Sequence, residues 1–310
     1  MDQRRKIIID TDPGQDDAVA ILLALASPEL EVLGITAVAG NVPLALTEKN
    51  ARKICELAGR PDIPVYAGSV RPLVRDLVTA EYVHGKTGLD GPDLPEPTMP
   101  LQETHGVDFL IETLLREPVT LCVLGPMTNI AQALIRAPEI AGNIVEIVAM
   151  GGGLFEGGNT TPAAEFNIYV DPHAADVVFR CGRPITLLPL DVTHKCLTSR
   201  ARVDAFAAIG TPVGKTVAAL LDFFERFDIE KYGSEGGPLH DPNVIAWLLK
   251  PELYGHRHIN VMVEITSELT MGMTVADWWG VTDRDPNCTY VREIDDAGFF
   301  DMLTERLSRL

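Results

Sequence analysis

The stretch Ile7 to Ile21, IIIDTDPGQDDAVAI, decides the fold. Three isoleucines in a row form a run too short for a helix. The run is apolar on both sides of the chain, as in a strand covered on both faces. Asp12 ends it and Pro13-Gly14 turns the chain, because proline fixes φ and glycine tolerates angles that other residues avoid. Asp16 and Asp17 open the next element, a helix over Ala18–Ala26 that stops at Ser27-Pro28. The same unit recurs. EVLGITAVAGN precedes a helix over roughly Leu46–Ala58, VTLCVLG precedes one near Asn129–Ala137, IVEIVAM runs into Gly151, and PITLLPL runs into Asp191. Strands alternating with helices predict an α/β fold, a single-domain open and mainly parallel sheet flanked by helices. No linker or internal repeat interrupts residues 1–310, so one domain is expected. Asp90–Pro100, DGPDLPEPTMP, reads as a long loop, and Ser199–Asp241 as a helical layer over the sheet.

In such sheets ligands bind beyond the carboxyl ends of the strands. Asp10–Asp12, Asn41, Gly125–Thr128, Met150–Gly153 and Asp191 all fall there, and together they define a candidate site. Asp10, Asp12, Asp16 and Asp17 crowd into eight residues of it. Acids near a helix N-terminus are worth only about 0.3–1 kcal/mol each, which accounts for one or two of them. Four carboxylates in a low dielectric repel, and one protonates unless a cation intervenes. Oxygen donors without cysteine select a hard cation, Ca²⁺ or Mg²⁺. A further acid, Asp241, stands beside His240 in PLHDPNVIAWLL, just before a helix; a cap and a site residue both fit that pair.

Composition narrows the partners. The 310 residues carry a formal net charge of −18, so no basic surplus exists to displace counterions from a nucleic acid polymer or to hold an anionic membrane. No apolar run approaches the ~18 residues of a membrane span, and three isoleucines after MDQRRK are too few for a signal peptide. The five cysteines are scattered and form no CxxC, which excludes a zinc knuckle and fits a reducing, cytoplasmic setting.

A second polar cluster is MGGGLFEGGNTTPAAEFNIYVDP, Met150 to Pro172. Its glycines lack the GxGxxG spacing and it holds no lysine or arginine, while Glu156 and Glu165 repel anions. Asn159, Glu165 and Asn167 instead match a neutral polyol, offering both donors and acceptors to hydroxyls.

DTDPGQDDAVAI, AVAGN, LGPMTNIAQAL, AMGGG, AEFNIYVDP and HDP, in that order along nearly the whole chain, resemble the nucleoside hydrolases, the inosine–uridine-preferring ribohydrolases. The resemblance implies an open α/β sheet, usually in a homodimer or homotetramer, acting on small-molecule ribonucleosides in nucleoside salvage. It implies Ca²⁺ held by Asp12, Asp17 and Asp241 through carboxylates and by Thr128 through its backbone carbonyl, with Asp12 also the base that deprotonates water. Asp16, Asn41 and Asn167 match ribose-binding positions, and Asn159, Glu165 and Met150 match those around the 5′-hydroxyl. Asp10 matches an acid that supports the calcium ligands, and His240 a leaving-group acid. His84, in VHGKTGLDGP, resembles a histidine of pyrimidine-leaning members, and Tyr232 falls where the family has an aromatic residue near the base. Phe224 and Asp228 precede His240 at helical spacing; Asp228 departs from the amide expected of a strict pyrimidine reader.

The expected reaction is Ca²⁺-dependent hydrolysis of the N-glycosidic bond, giving ribose and free base, with uridine and cytidine slightly favoured. A purine-preferring or broad hydrolase shares the same motifs, and a Ca²⁺-dependent nucleoside-binding protein without turnover would conserve the same ligands. A haloacid-dehalogenase-like phosphatase also begins with a strand and DxD, but it expects threonine or valine where Gly14 stands and leaves Asp16, Asp17 and HDP unused. Trp278-Trp279 reads as core, and Asp191 as a structural cap or a support for the site.

Overall fold

A computed structural model describes residues 4–233 and 235–310; the side chains of Asp228, Lys231 and Tyr232 lie outside the described residues. The strands are β1 (Arg5–Thr11), β2 (Leu30–Ala37), β3 (Val65–Ala67), β4 (Val119–Val123), β5 (Ile144–Met150), β6 (Ile185–Leu188), β7 (Tyr254–Ile259), β8 (Val261–Val263), β9 (Thr274–Ala276) and β10 (Cys288–Ile294). The helices are α1 (Gln15–Leu25), α2 (Leu44–Leu57), α3 (Glu81–His84), α4 (Gly106–Arg116), α5 (Thr128–Arg136), α6 (Phe166–Val170), α7 (Pro172–Phe179), α8 (Leu190–Thr193), α9 (Arg200–Ala208), α10 (Pro212–Tyr232), α11 (Pro242–Leu249) and α12 (Asp296–Leu307).

Eight strands form one sheet in the order β3-β2-β1-β4-β5-β6-β10-β7, parallel throughout except for β7, which runs antiparallel to β10. β8 and β9 form a separate two-stranded ribbon. The isoleucine run shows why the sheet is covered twice. Ile7 and Ile9 belong to one core layer with apolar residues of α1, α2, α9, α10, α11 and α12. Ile8, pointing the other way, belongs to a second layer with α4, α5 and α7. Alternate residues of a strand face opposite sides, so a strand between two helical layers must be apolar at every position. Burying each isoleucine is worth about 1.5–3 kcal/mol.

β1 has β2 on one side and β4 on the other, with Asp10 level with Thr36 and with Val123. The chain leaves β1 towards β3 and then returns to β4 beyond it, so the strand order reverses between β1 and β4. Ligands bind at such a reversal. α1 starts at Gln15, a turn before the apolar run, and all of its residues are buried, Asp16 and Asp17 included. The expected long loop is present, with no helix or strand from Gly85 to His105. Ser199–Asp241 resolves into α9, α10 and a connection leading to His240. The tryptophan pair divides: Trp278 is buried edge-on against Phe155 and Tyr290, whereas Trp279 is 74% exposed. Among the described residues no helix is long and apolar enough to cross a membrane.

Candidate functional site

The carboxyl ends of β1, β4 and β5 open into a cavity of about 520 Å³, within the range of small-molecule sites. Asp16, Asn41, Met150, Asn159, Glu165, Asn167, His84, His240 and Asp241 line it, together with Leu124. Residues from Asp16 to Asp241 therefore meet in one place, and among the described residues no lysine or arginine lines it.

Asp12 and Asp17 lie beneath this surface, fully buried. Asp17 is fixed by three donors: the Thr11 hydroxyl at 2.5 Å, the Gly14 amide at 2.9 Å and the Asn41 side-chain amide at 3.2 Å. Asp12 Oδ2 accepts from the Asn41 backbone amide at 2.7 Å, but its Oδ1 is buried without a protein partner. Gly40 and Gly125 flank Asp12 so closely that a Cβ on either would overlap its carboxylate. Asp16, Asp17 and Asp241 each offer an oxygen, all within 4.8 Å of one another. Asp16, expected at the sugar, thus stands in the same cluster as the expected metal ligands.

Burial pushes all these carboxyls up. Asp16 is raised to about 8 by burial and then by the charge of Asp17. Asp12 is raised well above the usual range by burial and by Asp17, and Asp241 by burial and by Asp16 and Asp17. The charges acting on them are those of other acids. Unpaired buried acids of this kind either keep protons or bind a cation. An all-oxygen set with an unpartnered Asp12 Oδ1 fits a hard divalent ion.

Asp10 stands behind Asp12. Its Oδ2 accepts from Thr36 and from Asn129 Nδ2, the latter at 2.8 Å. Burial raises it to about 7. Asn129 also donates to the Ala37 carbonyl at 3.1 Å and accepts from the Ser69 amide and hydroxyl, tying β1, β2 and the turn after β3 to α5.

Thr128, expected to offer its backbone carbonyl, is the first residue of α5, and its hydroxyl donates to Asp171 at 2.8 Å. Leu124, which follows directly on β4 and lines the cavity, accepts from Asn167 Nδ2 through its carbonyl at 2.7 Å. The sequence did not single it out, because an apolar side chain gives no sign of what its backbone meets.

On the opposite wall, Glu165 caps α6, accepting from Asn167 and Ile168, and also accepts from Gly152 at 3.0 Å. Burial raises it to about 7. Asn159 Oδ1 accepts from Phe166 at 3.0 Å, leaving its amide nitrogen for the cavity. Asp191 accepts from the amides of Leu154, Phe155 and Glu156 and from the Tyr290 hydroxyl, so it anchors this loop rather than entering the cavity.

The remaining wall is aromatic. His84 is buried and stacks on Phe224 at 5.6 Å; Tyr82 and Phe227 lie beside them. His240 Nδ1 is 2.7 Å from the Thr193 hydroxyl, and burial with the neighbouring His194 and His84 holds the ring well below its usual pKa. His194, which the motifs did not single out, also lines the cavity and lies 3.2 Å from Glu156. Tyr232 and Asp228, expected near the base, have side chains outside the described residues.

The family described as inosine-uridine preferring nucleoside hydrolase matches residues 7–301. A pyrimidine-specific ribonucleoside hydrolase, RihA, of Enterobacter is 51% identical over 98% of this chain and 97% of its own. An uncharacterized protein of Schizosaccharomyces pombe is 54% identical over 98% of this chain and 99% of its own. Among solved structures, a purine-preferring ribonucleoside hydrolase from Gardnerella vaginalis superposes with a TM-score of 0.92 at 34% identity, covering 98% of both chains.

Proposed function

The chain belongs to the inosine-uridine preferring nucleoside hydrolases and is an N-ribohydrolase of ribonucleosides; from that premise we propose that it is Ca²⁺-dependent and favours uridine and cytidine. The observation that carries the calcium reading is a set of buried carboxylates without a basic partner among the described residues, one of them with an unpartnered oxygen. Asp12, Asp17, Asp241 and the Leu124 carbonyl would hold the ion. When bound, it supplies positive charge, an anchor for the ribose diol and a more acidic water.

The residues of the chain supply the rest. Asn41, through its backbone amide, pins Asp12 Oδ2 and leaves Oδ1 to take the proton of the attacking water. Asp16, at the cavity surface, accepts from a sugar hydroxyl; Asn167, Asn159 and Glu165 take the others, with Met150 against the sugar. As the C1′–N bond breaks, C1′ gains oxocarbenium character, which the surrounding acids stabilise. If the Thr193 hydroxyl donates to His240 Nδ1, the ring hydrogen sits on Nε2, from where the neutral ring donates a hydrogen bond to the departing base. The pyrimidine preference is supported by the relative's name and by His84 at the aromatic wall. A cytoplasmic location is supported by five free cysteines, and a homodimer or homotetramer by family habit alone.

The test is ribose release from uridine, cytidine, inosine and adenosine, with EDTA and with added Ca²⁺. Release that stops with EDTA, returns with Ca²⁺ and is fastest by kcat/KM for uridine and cytidine supports the reading. Activity indifferent to EDTA sinks the calcium role, and inosine in first place sinks the base preference.

A further inference from the structure

Gln15 is fully buried between the turn and the acids, and no step above uses it. Its amide nitrogen lies 3.0 Å from the carbonyl of His84 and 3.1 Å from that of Asp90. Carbonyl oxygens only accept, so the nitrogen must face them and the amide cannot be turned round. Its oxygen Oε1 then lies 2.7 Å from His84 Nδ1. An amide oxygen also only accepts, so Nδ1 must carry a hydrogen. The ring is held in place by Phe224 and by Gly14, where a Cβ would overlap Nδ1. Burial lowers the His84 pKa to about 3, so a neutral ring has one hydrogen to give, and Gln15 takes it.

We propose that Gln15 is a positioning residue that locks His84 in the Nδ1–H tautomer, so that the cavity meets a bare, accepting Nε2 and selects nucleosides whose base presents an N–H to it. His84 then reads the base as an acceptor; the hydrogen bond donated to the departing base stays with His240. The selection is by unpaired polar groups: a base that offers a methyl or a lone pair there leaves Nε2 buried without a partner, which costs far more than a lost surface contact. This inference rests on the base lying at the His84 end of the cavity, as in the proposed function.

Two measurements test it. In substrate-free protein labelled with ¹⁵N-histidine, the long-range imidazole correlations of His84, assigned by their loss in His84→Asn, should show Nδ1 protonated and Nε2 bare from pH 6 to 8. An Nε2–H tautomer or a rapid average overturns the lock, whatever the enzyme's base preference. In Gln15→Met, which fills the space with only a weakly accepting sulfur, the same signals should shift to Nε2–H or to an average; unchanged signals assign Gln15 a purely structural part. In kinetics, wild type should prefer uridine over 3-methyluridine by about tenfold or more in kcat/KM, and Gln15→Met should narrow that ratio to under threefold. Should inosine be the better substrate, inosine and 1-methylinosine replace the pair, so a wrong base preference is distinguished from a wrong role for His84. Equal ratios in wild type and variant refute the selection.

Discussion

The two oxygens of Asp12 are in different situations, and that difference is the ground for proposing it as the base. Oδ2 is occupied by the Asn41 amide while Oδ1 has no protein partner. Asp12→Asn keeps the shape and the acceptor for Asn41 but removes the base. We expect kcat for uridine to fall by about 10³-fold or more, as for loss of a positioned base. KM should change by only a few fold, and steady-state kinetics with Ca²⁺ present checks both. A variant within tenfold of wild-type kcat would assign proton removal elsewhere. His240→Ala should lower kcat for uridine about 10²-fold but p-nitrophenyl riboside much less, since p-nitrophenolate leaves without a proton; equal losses would remove His240 from leaving-group chemistry.

The residues that were legible in the sequence are those whose side chains are chemically out of place. Four acids after an apolar strand announce themselves; so do Asn159, Glu165 and Asn167 in a chain segment without a base. Leu124 does not, because an apolar side chain gives no sign of the carbonyl that Asn167 meets. Thr128 was expected as the carbonyl ligand through the family resemblance, and the structure makes it the first residue of α5. Gln15 sat in the motif throughout, and only its contacts to two carbonyls reveal what its oxygen does.

At the scale of elements, the site depends on turns that bring backbone against carboxylate. Gly125 follows β4 with φ outside the left-handed region, and its difficulty is space alone, since a Cβ there meets Asp12 Oδ1. Gly125→Ala should therefore push the Asp12 carboxylate aside. We expect at least a tenfold drop in kcat and a destabilisation of about 1–3 kcal/mol, as for overpacking elsewhere, seen in thermal melts. Gly142→Ala, with nothing within 4 Å of the added carbon, is the control and should change neither. A fully active, equally stable Gly125→Ala would show that Asp12 has room to move. Strands β1, β2, β4, β5 and β6 were legible because apolar runs between turn residues have few alternatives. The insertion of β10 between β6 and β7 was not, because pairing partners far apart in the chain leave no local pattern.

At the scale of the whole molecule, stability should report the cation without any substrate. In metal-free protein Asp16 is raised to about 8, and Asp10 and Glu165 to about 7, from unfolded values near 4. The folded state therefore holds protons that the unfolded chain has released, and stability falls as pH rises from about 4 through about 8. Histidines act the other way. His84 and His240 are lowered by burial, so stability rises as the unfolded histidines lose their charge near pH 6.5. Above pH 7 that opposing contribution is spent, and the acids alone set the slope. We expect the melting temperature of EDTA-treated protein to fall between pH 7 and 8.5. Calcium at about a hundredfold over its dissociation constant adds roughly 2.7 kcal/mol. With Asp12, Asp17 and Asp241 as the proposed ligands, protons compete with the ion, and the gain should be larger at pH 8.5 than at pH 6.5. Scanning calorimetry across that range with EDTA, Ca²⁺ or Mg²⁺ measures all three quantities. A calcium gain that shrinks with rising pH, or a metal-free protein that grows steadily more stable up to pH 8.5, would mean that the buried acids are already ionised and balanced by something other than a cation.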